Sequence, residues 1–367
     1  MGKYNTGSAT TTNFTDVVKS YQIPSLTPDQ PNMYGEGWTW YDFPDANDHY
    51  SYYIGVPEIF SALKALSTYV CGQGWTADGR TTIILNRIIG WGEDTFVSIC
   101  RNLFISMKVF GDAFAEIVRD EDDGALINLK PLYTGNMRVV IDDKGIIDHY
   151  EIRNQFDKSS KSGFKVLDKN KVLHLCNGRI ANEIHGISVV TILKKYIDAK
   201  QEALDDEIKI RHRDKALGIA YYDTDDSGKI TYANSQIEKA VNKGEMLGLP
   251  KDTVKIEEFP SKSPADRILW LQYLDGQFYE KSGVPKVVAT SEGYSEAGAK
   301  VGIFTFDPVY TSEQRELEAD LWNQISIKVT FNPAPSLGGT LQQSEAANTG
   351  QTQFQPSDTQ VKTTRTE

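Results

Sequence analysis

Two long stretches of helical periodicity, separated by about fifty residues, restrict the possible folds of this chain more than any other feature. The first follows Ser188, a residue able to cap free amides, and carries Val189, Ile192, Leu193, Tyr196, Ile197, Leu204 and Ile208 at helical spacing up to Arg213. About 25 residues at a rise of 1.5 Å span roughly 37 Å, more than a small globule needs. The second, from about Ser263 to Ser282, sets Ile268, Leu269, Leu271, Leu274 and Phe278 on one side. It has a defined stop, because Gly283 tolerates the left-handed turn of a C-terminus and Pro285 cannot continue the ladder. The segment they bracket, 214–262, reads as a small insertion with a strand at Leu217 to Tyr222, a helix at Ser235 to Asn242 and a strand at Asp252 to Phe259.

Downstream of Pro285 the sequence predicts a loop in which Gly293, Gly298 and Gly302 alternate with Ser291, Ser295, Ala297 and Lys300. Pro308 then opens another helix, with Asp307 placed to accept from its free amides, and a strand from Ile325 to Phe331 closes the ordered chain. Upstream, helices are expected at Pro57 to Val70 and Asp94 to Met107. Strands are expected at Ala113 to Val118, Leu126 to Leu129, Met137 to Ile141 and Ile147 to Ile152, with turns at Asp122-Asp123-Gly124 and Asp142-Asp143-Lys144-Gly145. A further pair, Phe164 to Leu167 and Lys171 to Cys176, completes an antiparallel unit, so the class is α+β. Residues 1–35 and 332–367 are rich in Thr, Asn, Ser, Gln, Gly and Pro and predict a disordered arm and tail.

With 40% apolar and 24% charged residues in 367, the chain has material for one large or two medium domains. No apolar run approaches the ~20 residues of a membrane span, and the start lacks the apolar stretch of a signal peptide, so no membrane is expected and the chain should stay in the cytosol where it is made. Three cysteines, Cys71, Cys100 and Cys176, show no paired spacing that would indicate a disulfide framework or zinc motif. The net charge of −11 argues against tight sequestration of nucleic acid, whose affinity comes mostly from cations, while allowing its transient passage.

Candidate chemical motifs are sparse. Asp223 to Asn234 tracks a calcium loop, with Asp223, Asp225 and Ser227 at donor positions and Gly228 at the sharp turn, but Asn234 stands where a bidentate Glu normally closes the sphere. It supports an alternative reading as a calcium-binding interaction module. An acidic hairpin turn accounts for the same residues. Gly72-Gln73-Gly74-Trp75-Thr76-Ala77 matches a dinucleotide fingerprint, yet it follows a helix instead of a strand. His174 and Cys176 share a strand face, a nucleophile-and-base pair without an orienting partner. No enzyme active site and no cofactor is expected. Lys281, Lys286 and Lys300 flank or sit in the glycine-containing loop, where brief contact with a DNA backbone is chemically reasonable.

The segment from Phe278 to Pro285 with its following loop and helix resembles the tunnel loop and tunnel helix of portal proteins, the head-tail connectors of tailed double-stranded-DNA bacteriophages. Val109-Phe110-Gly111-Asp112-Ala113-Phe114-Ala115-Glu116-Ile117, then Leu129-Lys130-Pro131-Leu132 and Met137 to Ile141, resembles the wing of that family. Val172-Leu173-His174-Leu175 followed by His185-Gly186-Ile187-Ser188 resembles the exit from wing to stem. The resemblance implies a wing at 36–188, stem helices at 189–213 and 263–282, a clip at 214–262, a tunnel loop at 283–307, and a tunnel helix with a wing-returning strand at 308–331. The crown is reduced or absent. It further implies a ring, dodecameric in the family, at the portal vertex of a virion capsid. Its partners would be terminase, major capsid protein or scaffold, a head-tail adaptor and, transiently, double-stranded DNA. Lys300, Lys286 and Lys281 become the implied DNA contacts.

Overall fold

A computed structural model describes residues 32–33, 39–153, 163–213, 219–223, 225–243, 254–257, 264–290 and 296–334. The arm expected at 1–35 lies outside the described residues except for its end, and the tail lies outside them from 335 onward. That end is ordered: β1 (Asn32–Met33) pairs with β2 (Thr39–Asp42). Helices α1 (Ala46–Gly55) and α2 (Pro57–Cys71) follow, the second with a proline at its first position, where no amide is required. After β3 (Trp75–Thr76), α3 (Gly79–Leu85) is capped by Asp78, whose carboxylate accepts from the amides of Arg80 and Thr81. In α4 (Phe96–Phe110), Thr95 and Ser98 form a capping box, and Gly111 ends the helix at φ 90°.

The strands β4 (Asp112–Arg119), β5 (Leu126–Leu132), β6 (Met137–Ile141), β7 (Ile147–Arg153), β8 (Phe164–Asp168) and β9 (Val172–Cys176) fall close to the positions predicted from alternation. They form two antiparallel sheets, ordered β1-β2-β6-β7-β8 and β5-β4-β9. The expected pairing of the last two strands is therefore corrected: β8 pairs with β7, whereas β9 pairs with β4. The short turn at Lys169–Lys171 carries the chain from one sheet to the other. Period-two alternation gives β4 two jobs. Ala113, Ala115 and Ile117 join the helical core with α2 and α4, while Phe114 faces the second sheet among Met137, Val139, Tyr150, Leu167 and Val172.

Helix α5 (Val189–Arg213) begins where Ser188 Oγ accepts from the amides of Val190 and Thr191, as its sequence position predicted. Its companion in the second half is the later of two helices around the insertion, which consists of β10 (Ile219–Tyr222), α6 (Ser227–Lys243) and β11 (Val254–Glu257), the two strands pairing antiparallel. Helix α7 (Pro264–Ser282) then returns along α5 and packs on it. The inward side is narrower than the periodicity suggested. Val190, Leu193 and Ile197 of α5 and Leu274, Phe278 and Tyr279 of α7 are buried, whereas Ile268 and Leu269 are exposed.

Past Gly283 (φ 70°), α8 (Lys286–Ala289) is a single turn, and α9 (Glu296–Ile325) runs for 30 residues before β12 (Thr330–Phe331) pairs with β3. This overturns the expectation that Pro308 opens the last helix. Pro308 lies inside α9, although a proline there removes one ladder bond and crowds the preceding turn. Packing holds both sides of it. Phe306 and Tyr310 are buried, and both rings lean on Tyr69 of α2 at 5.1 and 5.4 Å. From there Gln314, Leu317, Leu321 and Ile325 continue one buried stripe at spacings of three and four.

The connection from β9 to α5 depends on the close approach of two glycine backbones. A Cβ on Gly111 would overlap the carbonyl oxygen of Gly186, and one on Gly186 would overlap that of Gly111. Asn177 N donates to Gly111 O at 2.8 Å, Ile187 N donates to Asn177 O at 2.7 Å, and Ser188 Oγ donates to Val109 O. Gly111→Ala is therefore expected to destabilise the chain by on the order of 3 kcal/mol or more, from overpacking added to left-handed strain. Gly145→Ala, at φ 78° with open space around it, should show the strain alone, about 1 kcal/mol. Urea denaturation of both variants measures the difference.

Candidate functional site

Two polar clusters stand out where the stem meets the rest of the chain. At the far side of α2, an ionic chain links four elements. Lys200 Nζ of α5 lies 2.8 Å from Glu58 Oε1 of α2 and 2.9 Å from Asp275 Oδ1 of α7. Lys286 Nζ of α8 reaches the other oxygen, Asp275 Oδ2, at 2.6 Å. Two carboxylates and two ammonium groups thus alternate and balance. Burial acts to raise the pKa of Asp275, but hydrogen bonds from Lys286 and Lys200 outweigh it and hold the carboxyl below its usual value. Burial likewise opposes the charge on Lys200, and Glu58 and Asp275 overcome it, so its pKa rises. Tyr52 of α1 adds a tie to the stem by donating to Asp198 Oδ1 at 2.6 Å, and that bond pushes its phenol up to about 12.

This geometry places the three lysines singled out by the sequence. Lys286 belongs to the ionic chain and also lies over the Tyr279 ring at 6.0 Å. Lys281, near the end of α7, sits over the Tyr196 ring of α5 at 5.4 Å. Lys300 is carried by α9 and not by a loop, because that helix already begins at Glu296. The three are therefore not gathered into one basic loop. The glycines expected there divide in the same way: Gly298 and Gly302 are helical, and Gly302 lets Val287 of α8 approach α9, since a Cβ would stand 2.9 Å from Val287 Cγ1. Gly293 lies outside the described residues.

The second cluster contains His174 and Cys176. Asp112, at the head of β4 and fully buried, supplies the partner that the sequence did not reveal. His174 Nε2 lies 2.8 Å from Asp112 Oδ1 and 3.1 Å from Cys176 Sγ, while His174 Nδ1 lies 3.1 Å from the Tyr150 hydroxyl. Gly186 N donates to Asp112 Oδ2 at 3.1 Å, and His185 Nδ1 is 3.4 Å from the same oxygen. Burial lowers the pKa of His174 despite Asp112, which fits a neutral ring donating from Nε2 to the carboxylate. Asp112 stays anionic: burial acts to raise it, but hydrogen bonds from His174 and His185 prevail. Burial and the Asp112 charge push the Cys176 thiol well above its ordinary value, against the opposing effect of Arg179, which donates to the sulfur at 2.6 Å.

A nucleophilic relay places the nucleophile on one imidazole nitrogen and the orienting carboxylate on the other. Here both Asp112 and Cys176 face Nε2, and the thiol is held protonated, so the cluster is not arranged for that chemistry. The calcium alternative also changes. Asp223 and Asp225 are exposed, but Ser227 is the first residue of α6, and its first turn is stabilised by Gly228 N donating to Asp226 Oδ1 at 2.9 Å. Residues 227–234 are helical and do not wrap a twelve-residue loop around a common centre.

No protein-family model matches the sequence, and no curated protein sequence matches it. Solved structures do share its fold. A chain from the neck of a native gene transfer agent particle, computed with C12 symmetry, is similar over 89% of this chain and 93% of that one, at a TM-score of 0.60 and 16% identity. A chain from the neck of the empty particle, computed with C6 symmetry, is similar over 89% and 92%, at a TM-score of 0.61 and 16% identity. A phage portal protein of the HK97 family from Corynebacterium diphtheriae is similar over 79% and 95%, at a TM-score of 0.49 and 14% identity. At such identities the likeness is one of fold.

Asp275→Asn is expected to lower stability by about 1–3 kcal/mol at neutral pH, because two ammonium groups lose a charged acceptor. The effect should depend on pH in a defined direction. A carboxyl held below its unfolded value contributes stability above the ordinary carboxylate range and loses it as pH falls through the lower folded value. Denaturation at pH 7 and below pH 3 checks this: the gap between wild type and Asp275→Asn should close in acid.

Proposed function

We propose that this chain is the subunit of a phage-type portal, a ring of about twelve copies at one capsid vertex that serves DNA packaging, genome retention and ejection, and head-tail attachment. The observation that carries the proposal is the stem. Two long helices bracket an insertion, and α7 leaves Leu269, Trp270 and Tyr273 exposed at 61, 51 and 54%. Aromatic and aliphatic groups of that size, on a helix whose other side packs on α5, suit a neighbouring copy. The fold shared with neck chains from particles computed with C12 and C6 symmetry supports the same reading.

In this ring, each subunit uses two different faces, one presenting α7 and the other receiving it. The insertion around α6 is the clip, the part offered to terminase and to a head-tail adaptor. The two-sheet unit with α1, α2 and α4 is the wing, which meets capsid protein or scaffold. The chain works mechanically; ATP hydrolysis belongs to terminase. A net charge of −11 keeps the conduit from adhering to DNA, and the start of α9 carries Lys300 toward it as a local exception. Lys281 and Lys286 act chiefly in holding the stem, through Tyr196 and Asp275.

Electron microscopy of the purified chain should show rings of about twelve copies. The double substitution Leu269→Glu and Trp270→Glu should leave monomers with an unchanged thermal midpoint. Wild-type protein that stays monomeric at high concentration, or variant rings indistinguishable from wild type, would reject the assignment. For Lys300→Ala, ring assembly should persist while packaged DNA per particle changes. Equal DNA content in the two would remove Lys300 from the channel.

A further inference from the structure

The buried cluster at the wing-to-stem junction has the composition of a metal centre. We propose that Asp112, His174, Cys176 and His185 bind one divalent ion of the zinc class, pinning the exit of the wing to the first turn of the stem. The donor atoms of Asp112, His174 and Cys176 all lie within 4.8 Å of one another, and His185 Nδ1 stands 3.4 Å from Asp112 Oδ2. Bonds of 2.0–2.3 Å in a tetrahedral site set donor atoms roughly 3.3–3.7 Å apart. The separations of 2.8 and 3.1 Å around His174 Nε2 need an opening of about half an ångström, while His185 approaches from the side of the other carboxylate oxygen, Asp112 Oδ2.

Charge and ligand type point the same way. One carboxylate, one thiolate and two neutral imidazoles sum to −2 and cancel a divalent cation. A mixed oxygen, nitrogen and sulfur set suits zinc, and hard ions such as magnesium or calcium take oxygen alone. Asp112 has no exposure to water, and a buried carboxylate requires a compensating charge. An outer layer is in place: Gly186 N on Asp112 Oδ2, the Tyr150 hydroxyl on His174 Nδ1, and Arg179 on the sulfur. Phe114 stacks on His174 at 4.4 Å and Phe43 lies 4.1 Å from His185, so aromatic faces shield the donors. His185 also forms part of the wall of a cleft of about 390 Å³ shared with Phe43, His49, Glu183 and Thr191, which provides a route in.

Binding balances as follows. Cys176 gives up its thiol proton to solvent and coordinates as thiolate. The His174 proton moves from Nε2 to Nδ1, where the Tyr150 oxygen accepts it, and the His185 proton moves from Nδ1 to Nε2, leaving His174 Nε2 and His185 Nδ1 to bind the ion. One proton is released per ion bound.

Full-length wild-type protein should carry about one zinc per chain by elemental mass spectrometry. Exchange with cobalt should give a sulfur-to-cobalt charge-transfer band, and a chelator should lower the thermal midpoint. The Cys176→Ser, His185→Asn double variant keeps the buried Asp112 and His174 pair and should still fold. It should bind zinc at least about 100-fold more weakly, lose the band and become indifferent to the chelator. Wild-type protein free of metal, with no cobalt band and no shift in midpoint on adding zinc, would overturn the proposal. Equal zinc binding by the double variant would overturn it as well. Neither readout depends on ring assembly or on DNA.

Discussion

Two glutamines, Gln314 buried and Gln324 half-buried, hold α9 to the end of α2 and to β9. Gln314 Nε2 lies within hydrogen-bonding distance of the carbonyls of Tyr69 and Val70, at 3.3 and 2.9 Å, and of Asn332 at 3.2 Å. It therefore satisfies the C-terminal carbonyls of α2 that the helix itself leaves open. One end of α9 further on, Gln324 exchanges both amide bonds with the backbone of His174, at 2.8 and 2.7 Å, and so behaves like an extra strand residue beside β9. Between them Lys108, buried in α4, reaches Glu313 at 2.6 Å and Asn177 at 2.7 Å. Without these contacts α9 would present buried donors and acceptors with nothing to meet, which costs more than the bonds themselves contribute. With them, a helix that contains Pro308 lies on α2, α4 and β9 in one register.

That dependence explains which parts of the fold were legible. Helices α2, α4, α5 and α7 carry apolar stripes and strands β4 to β9 alternate or run apolar between turn residues, so their extents show in the sequence to within a few residues. Helix α1 was not legible because Ala46 is its only buried residue; it is held by Tyr52 on Asp198 and by its neighbours instead of by a stripe. The division of β8 and β9 between two sheets was equally hidden. Alternation fixes which side chains share a face, not which neighbour a strand pairs with, and the turn at Lys169–Lys171 has no signature of a sheet crossing.

Pro308 misled for a specific physical reason. Proline at a first helical turn and proline held inside a helix by flanking aromatics share the same local sequence, and only the burial of Phe306 and Tyr310 against Tyr69 separates them. The candidate sites divide along the same line. His174 and Cys176 were visible as a strand pair, but 62 residues separate Asp112 from His174, and nothing local marks Asp112 as their partner. Likewise Lys286 was noticed for its place after Pro285, while its partner Asp275 and the link through Lys200 to Glu58 required the packing of α5 on α7.

The two halves of the stem follow from these constraints. Around Lys200, the charges of Glu58, Lys200, Asp275 and Lys286 answer one another within the chain and tie α5 and α7 to α2 and α8. Toward the insertion, Leu204 and Ile208 of α5 and Leu269, Trp270 and Tyr273 of α7 are exposed, and Trp270 stacks on Tyr273 at 5.5 Å instead of entering the core. The helix pair is therefore anchored around Lys200 and apolar on its outer side toward the insertion. The angle at which α5 and α7 leave the sheets is thus set by contacts inside the chain, whereas the apolar groups toward the insertion are left uncovered by the described residues.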